Sequence, residues 1–198
     1  MDTEQLDLTL PDLTAVELDL GNRVVVRNFK DSDAEDIFAT VHRNIDHLHF
    51  MHWIKPDYSL NDAFEFLERS KNNAEKGESL SLGIFADDAF IGSIGFVHFE
   101  MAARRTEIGY WIDAAFEGTG VISRACERLI DYAFNDLGMN RIEIRCSAEN
   151  MRSAAIPKRF GFKKEAHLRQ QELRQGRLHD FLIFGLLRSE WESKGCNL

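Results

Sequence analysis

Residues 116–137 read FEGTGVISRACERLIDYAFNDL, a turn with two glycines that leads directly into an amphipathic segment. Gly118 and Gly120 allow backbone conformations and close approaches that a side chain would prevent. After the turn, apolar residues recur at spacings of three and four and predict a helix with one apolar face: Ile122, Cys126, Leu129, Ala133 and Leu137. Because the first N–H groups of a helix lack intrahelical partners and carry the positive end of its dipole, this stretch predicts an anion site. An ordinary turn before a core-packed helix would look the same, so the prediction depends on the rest of the chain.

The composition favours one acidic globular domain. The chain has 198 residues, of which 44% are hydrophobic and 29% charged, and its formal net charge is −9. Such a length suits a single domain with a sizeable core, so we expect one domain over residues 1–198. Within it, residues 1–20 are expected to form an arm or an edge strand and residues 188–198 a short C-terminal tail. The acidic balance disfavours a nucleic-acid partner, which needs a clustered basic face, and fits a basic or neutral substrate better.

The chain carries no pattern of export or membrane insertion. Residues 1–20 lack a basic start followed by a long apolar run, and no window approaches the apolar length of a membrane span. The three cysteines, Cys126, Cys146 and Cys196, form no CxxC pair. Cys126 and Cys146 are expected to be small buried apolar residues. We therefore expect a cytoplasmic protein without a membrane partner.

Periodicity predicts a mixed α/β (α+β) sheet flanked by helices, in the order β-α-α-β-β-β-α-β-α-β-β. Ser32 and Glu35 predict a capping box for the first helix, and Gly77 is placed to end the second. Asn150 is expected to cap the last helix. Strands are predicted at 23–29, 80–86, 90–99, 105–112, 141–146, 162–173 and 178–187, and helices at 32–45, 59–76, after Gly120 and at 150–160, with a hairpin turn at Gln175 and Gly176.

Histidines cluster in and after the first predicted helix. Their spacings fit no common zinc pattern, and no cysteine or carboxylate cluster accompanies them: His42, His47, His49 and His52. We therefore expect no metal. The aromatic connector at 46–58 that holds most of them ends near Pro56.

The element order and several motifs together resemble the GNAT superfamily of acetyl-CoA-dependent N-acetyltransferases. Within it, the chain is similar to the RimJ/RimL-like branch, which acetylates ribosomal proteins at their N-termini. The resemblance spans residues 22–192 and is carried by IGYWI at 108–112, FEGTGVIS at 116–123, NRIEIRCSAENMRSAAIPKRFGF at 140–162 and LLRSEW at 186–191. It implies a GNAT-like fold and transfer of an acetyl group from acetyl-CoA to a primary amine, such as the N-terminal amine of a ribosomal protein.

The resemblance also implies which residues contact acetyl-CoA. The loop would cradle the pyrophosphate through its backbone N–H groups: Glu117, Gly118, Thr119, Gly120, Val121 and Ile122. The strand end at Tyr110, Trp111 and Ile112 would pair with the pantetheine, and an N–H near Ile112 would polarise the thioester carbonyl. Asn150 stands where the family often has an asparagine that contacts the cofactor, although its role as a helix cap explains it equally well.

Two positions depart from the family pattern. Glu117 replaces the usual Gln or Arg at the head of the loop, so it must face solvent or find a cation such as Arg124. Pro157 replaces the tyrosine that protonates the departing thiolate in many members, and proline has no such proton. RimL-like enzymes use a serine instead, which matches Ser153, and a carboxylate base, which matches Glu172. Ser153 could also serve only the helix start, and Glu172 could be an exposed strand residue.

The acceptor is less specified than the cofactor. An α-amine with a pKa near 7.7–8.0 is partly neutral at cytosolic pH, so one carboxylate base would suffice for it. His47, Trp53 and Tyr58 in the connector are expected to contact the acceptor or to pack, and Arg104, Arg105, Arg169 and Arg174 to be solvated charges. Several alternatives stay open: a small amine such as a polyamine or an antibiotic, a non-catalytic acyl-CoA sensor, and a partner-binding domain with a degenerate loop. A homodimer is compatible with the sequence.

Overall fold

The computed structural model describes residues 9–174 and 176–195, and over them the chain forms an eight-stranded mixed sheet flanked by helices. This confirms the predicted fold class. The strands are β1 (Glu17–Asp19), β2 (Val24–Asn28), β3 (Leu80–Ala86), β4 (Ala89–Glu100), β5 (Arg105–Ile112), β6 (Arg141–Ser147), β7 (Lys163–Arg174) and β8 (Arg177–Leu187). The helices are α1 (Ala34–Arg43), α2 (Leu60–Lys76), α3 (Val121–Asn135), α4 (Met151–Arg159) and α5 (Arg188–Gly195).

The sheet order is β1-β2-β3-β4-β5-β6-β8-β7, and one pair of neighbours is parallel. The chain leaves β5, crosses through α3 and returns as β6, which is the crossover that parallel pairing requires. Parallel pairing starts at Arg105 and Arg141 and stops at Glu107 and Glu143. Beyond that rung β5 and β6 continue without pairing to each other, so a wedge opens between them.

Helix ends largely follow the local signals in the sequence. Ser59 caps α2 with Asp62 as the return partner, and Gly77 ends it in the left-handed conformation at φ 67°. The predicted Ser32 and Glu35 box is wrong. Instead the carboxylate of Asp33 accepts the N–H of Lys30 at 2.8 Å and pairs with Arg27 at 2.9 Å, so α1 begins only at Ala34.

Helix α3 packs into the larger of two apolar clusters, on one face of the sheet. Cys126, Leu129 and Ala133 are buried as predicted, but Ile122 is only half-buried because it lies in the first turn beside the loop. Cys126 and Cys146 are buried free thiols, as expected, and Cys196 lies outside the described residues. The smaller cluster fills the space beneath α1 and α2.

The C-terminal segment is a helix over Arg188–Gly195 rather than the short tail that the sequence suggested. The indole N–H of Trp191 donates to Asp131 at 2.8 Å, and its ring lies 6.2 Å from that of Phe160, so α5 packs against α3 and the end of α4. The first part of the predicted N-terminal arm, before residue 9, and Gln175 of the predicted hairpin turn lie outside the described residues. Over the part of the chain that is described, no helix is both long and apolar enough to cross a membrane.

Candidate active site

The wedge between β5 and β6 exposes main-chain groups of the β5 end. The N–H of Asp113 donates to Ile91 at 2.8 Å, so Asp113 and, two residues earlier, Trp111 turn their main-chain groups toward β4. Because successive residues of a strand alternate in direction, Tyr110 and Ile112 turn theirs into the wedge. An acyl group placed in the wedge would therefore meet free main-chain donors and acceptors on β5.

The glycine loop leads from this strand to the start of α3. Gly118 and Gly120 have φ angles of 72° and 81°, which a side chain disfavours, and Gly120 begins α3 without a side-chain cap. The hydroxyl of Thr119 donates to Phe116 at 2.6 Å and closes the turn. No heavy atom lies within 4 Å of a Cβ placed on Gly118, so this side of the loop is open. The first amides of α3, which lack intrahelical acceptors, directly follow this open turn and are candidate donors to an anion.

Arg124 adds a cation to the same place. A Cβ placed on Gly120 would lie 3.6 Å from Nη1 of Arg124, so the guanidinium stands beside the loop. Its Nε is buried and, among residues 9–174 and 176–195, has no hydrogen-bond partner. A buried donor without an acceptor is costly, so the site fits an anion that supplies one.

The sequence suggested that Glu117 would find a cation such as Arg124, but the structure pairs it with a different arginine. Its carboxylate binds the guanidinium of Arg152, from α4, and lies 3.4 Å from Nε2 of His47. The negative charge at the head of the loop is thus countered by other residues, and Arg124 stays available. His47 therefore lies beside the head of the loop, and its expected contact with the acceptor stays a prediction.

Ser153, Asn150 and Tyr110 meet at the back of the wedge. The side-chain oxygen of Asn150 accepts the Ser153 N–H at 3.0 Å, so Asn150 caps α4 as predicted. The Ser153 hydroxyl donates to the Tyr110 hydroxyl at 3.3 Å, and the Tyr110 hydroxyl donates to the Ser153 carbonyl at 3.0 Å. Burial raises the pKa of Tyr110 well above its usual value, so this phenol stays protonated. Burial likewise raises the pKa of the neighbouring Cys146 thiol, against a hydrogen bond with Ser153.

The opposite face of β5 carries an aromatic group. Trp111 points away from Tyr110, and its ring lies 5.9 Å from Trp53 and 5.6 Å from Phe90. The Tyr58 ring lies 6.2 Å from Trp53, and burial raises the pKa of Tyr58 to about 12. The structure thus brings Trp53 and Tyr58 together beside the wedge, on the side away from Ser153.

Glu172 lies on β7, opposite His179 of β8. Its carboxylate is 3.1 Å from Nε of Arg174, and its side chain is 27% exposed. The prediction that Arg174 is a solvated charge is wrong, because only 8% of its side chain is exposed. Its Nη1 donates to the carbonyl of Phe50 at 2.6 Å, which ties the connector to the β7–β8 hairpin.

The sequence did not predict the charged cluster at the apex of the wedge, which is the point where the pairing of β5 and β6 stops. Glu107 is largely buried, 3.2 Å from Nε of Arg145, and burial raises its pKa although Arg145 opposes the shift. Glu143 is buried between Arg141 and Arg145. The one available signal was the carboxylate of Glu107, one residue before the IGYWI motif. Within the described residues, no group of three or more His, Cys, Asp and Glu side chains is arranged to hold a metal ion.

The strands that form the wedge and the glycine loop between them lie within a region that matches a known protein family. A family model described as the acetyltransferase (GNAT) domain matches residues 23–163. The chain belongs to the GNAT acetyltransferase family. The resemblance inferred from the motifs is therefore confirmed.

Relatives within the family carry names that refer to ribosomal proteins. YdaF of Bacillus subtilis (strain 168), provisionally named a ribosomal N-acetyltransferase, is 38% identical over 115 residues, which cover 58% of this chain and 63% of YdaF. The chain thus spans less than two thirds of that relative. The ribosomal-protein-serine acetyltransferase of Escherichia coli (strain K12) is 35% identical over 98 residues, covering 50% of this chain and 55% of that protein. The solved structure of RimL, a ribosomal L7/L12 alpha-N-protein acetyltransferase in complex with coenzyme A, shares the fold at a TM-score of 0.84 and 21% identity, covering 88% of this chain and 99% of RimL.

Arg124→Gln should weaken acetyl-CoA binding about 10- to 100-fold, because it removes the charge-assisted donor beside the loop. Isothermal titration calorimetry of the full chain would measure this. Arg128→Gln is the matched control, since Arg128 lies one turn further along α3 and is exposed. Equal affinity for the wild type and Arg124→Gln would remove Arg124 from the anion site.

Proposed function

We propose that the protein transfers an acetyl group from acetyl-CoA to the N-terminal α-amine of a protein, such as a ribosomal protein. The observation that supports the proposal is the wedge between β5 and β6, into which the main chain of Ile112 turns. The Ser153 hydroxyl lies 3.3 Å from that of Tyr110 on the same strand, and the glycine loop leads from this strand to the uncapped start of α3. Ribosomal acceptors are favoured by the names of the relatives. A non-catalytic acyl-CoA sensor would need groups that hold the cofactor, but it would not need the Ser153 hydroxyl beside the wedge.

The loop and the β5 end are assigned to acetyl-CoA, which supplies the acetyl group as a thioester. The amides of 117–122 and the guanidinium of Arg124 would hold its phosphates. The main chain of 110–112 would pair with its pantetheine arm, and the N–H of Ile112 would stabilise negative charge on the reacting carbonyl. Asn150 would keep α4 in place for Ser153 and contact the cofactor.

Ser153 is assigned to the departing sulfur. A thiol with a pKa near 8.5 leaves as a weakly basic thiolate, so a neutral hydroxyl donor is enough to stabilise it. The hydrogen bond from Ser153 to Tyr110 is long at 3.3 Å, so the hydroxyl can turn to a closer acceptor at little cost. Pro157 therefore need not supply the proton that a tyrosine gives elsewhere in the family.

Glu172 is assigned as the general base toward the acceptor amine. Glu172 lies on the same hairpin as Arg174, which donates to the carbonyl of Phe50 in the connector. Nε of Arg174 lies 3.1 Å from the Glu172 carboxylate and holds it in position. A partly neutral α-amine needs only a modest base, typically worth about 10² to 10⁴ in rate. Glu107 is the competing candidate, since its pKa is raised and it lies at the apex of the wedge.

Labelled acetyl-CoA added to a cleared bacterial extract with the purified protein should label a discrete protein. With Ser153→Ala the rate should fall about 10- to 100-fold, because one donor to the departing thiolate is lost. Products separated by size and sequenced at the N-terminus would show the acceptor. Ser189→Ala, an exposed serine on α5, is the control for the substitution. Label confined to small molecules would favour a polyamine or antibiotic acceptor, and cofactor binding without any label would favour a sensor.

Glu172→Gln should lower kcat/KM for an N-terminal peptide by about 10² or more at neutral pH, since the amide cannot accept the proton. Steady-state rates would be compared with those of Glu165→Gln, the same substitution on the same strand, and of Glu107→Gln. A full rate with Glu172→Gln and a large loss with Glu107→Gln would move the base to the apex of the wedge.

A further inference from the structure

Arg174 is a buried cation with donors left over. Its Nη1 binds the Phe50 carbonyl, its Nε lies 3.1 Å from Glu172, and its guanidinium lies over the ring of Phe181 at 5.4 Å. Its Nη2 is buried and has no hydrogen-bond partner in the described ranges 9–174 and 176–195. Leaving such a donor unpaired is costly, so this donor suits a carbonyl oxygen that a bound acceptor would supply.

Strand register places this cation on the acceptor side of the wedge. Directly paired residues of antiparallel strands share a face, as do residues two apart along a strand. Glu172 pairs with His179, and Phe181 pairs with Ser147 at the end of β6. Arg174 and Glu172 therefore share the face of Ser147, where the wedge opens. The connector that Arg174 holds through Phe50 also carries Trp53, which packs on Trp111 of β5.

The other carboxylates nearby already have cationic partners. Glu149 is bound by Arg177 at 2.8 Å and lies 3.3 Å from His179, and Asp180 lies 2.7 Å from His167. Glu172 and Arg174 thus lie side by side as a carboxylate and a guanidinium, and Nη2 of Arg174 has no partner within the part of the chain that the structure describes.

We infer that Arg174 determines acceptor specificity by donating a hydrogen bond from Nη2 to the carbonyl oxygen of the acceptor's first residue. This inference rests on the proposed function. In a peptide the amine and that oxygen are joined only by the N–Cα, Cα–C and C=O bonds, so an amine facing Glu172 brings the oxygen close to Arg174. A polyamine offers no such oxygen and would bring further positive charge to a buried guanidinium. Arg174 thereby selects α-amino carbonyl compounds, the class to which protein N-termini belong.

The test compares two acceptors with the full-length wild type and Arg174→Gln. One is a short peptide amide that begins with serine, and the other is ethanolamine, which has the same amine and hydroxyl but no carbonyl. Arg174→Gln should lower the ratio of kcat/KM for the peptide to kcat/KM for ethanolamine about 10- to 100-fold, because any effect through Glu172 lowers both values alike. A merely structural role, through the Phe50 anchor, would lower both alike, so the ratio of the two values is the readout.

Arg174→Lys is a second variant, which keeps the positive charge but loses the planar, forked guanidinium. Its ratio of kcat/KM for the peptide to kcat/KM for ethanolamine should fall between those of the wild type and Arg174→Gln. Arg169→Gln, an exposed arginine on the same strand, should leave the ratio unchanged. A ratio that is the same in the wild type and both Arg174 variants would overturn the inference while leaving N-terminal acetylation intact. No acetylation of the peptide by the wild type would overturn the proposed function and the inference together.

Discussion

The parallel pairing of β5 and β6 stops at the rung of Glu107 and Glu143, and the whole candidate site depends on that stop. In-register carboxylates on neighbouring strands would repel each other, but Arg145 lies 3.2 Å from Glu107 and donates to Glu143 at 2.8 Å. Arg141 and Arg145 outweigh the effect of burial and lower the pKa of Glu143, whereas burial raises that of Glu107. The apex of the wedge is therefore a compensated charge cluster, and the strands separate just beyond it.

The same crossover connects the two parts of the candidate cofactor site, the end of β5 and the glycine loop. Because β5, the glycine loop and α3 follow one another along the chain, the position of the α3 start is fixed relative to the main chain of Ile112. Asp113 secures the junction, since its carboxylate accepts from the Ala115 amide at 2.9 Å and from Arg43 at 2.8 Å. Burial alone would raise the pKa of Asp113, but these hydrogen bonds outweigh it and hold that pKa below its usual range. The junction is thus charged and bonded at neutral pH.

Some features encoded within a few residues were predictable from sequence, although the Ser32 and Glu35 box was not, and contacts between distant segments were not predictable. The helix stop at Gly77 and the cap at Asn150 were predicted because both depend on local backbone chemistry. In contrast, the ion pair of Glu117 with Arg152 and the burial of Arg174 depend on segments that are distant in the sequence and meet only in the fold. Helix α5 was missed because RSEWESKG carries a single large apolar side chain and so shows no periodicity.

Amide hydrogen exchange with and without acetyl-CoA tests the central claim most directly, because it reports on the main chain that the wedge leaves free. We predict slower exchange in peptides that cover 108–112 and 117–123 once acetyl-CoA is bound, with little change in β7 and β8. Binding that leaves exchange at 108–112 and 117–123 unaltered, or that slows it only in β7 and β8, would contradict the assignment of the wedge and the glycine loop to the cofactor.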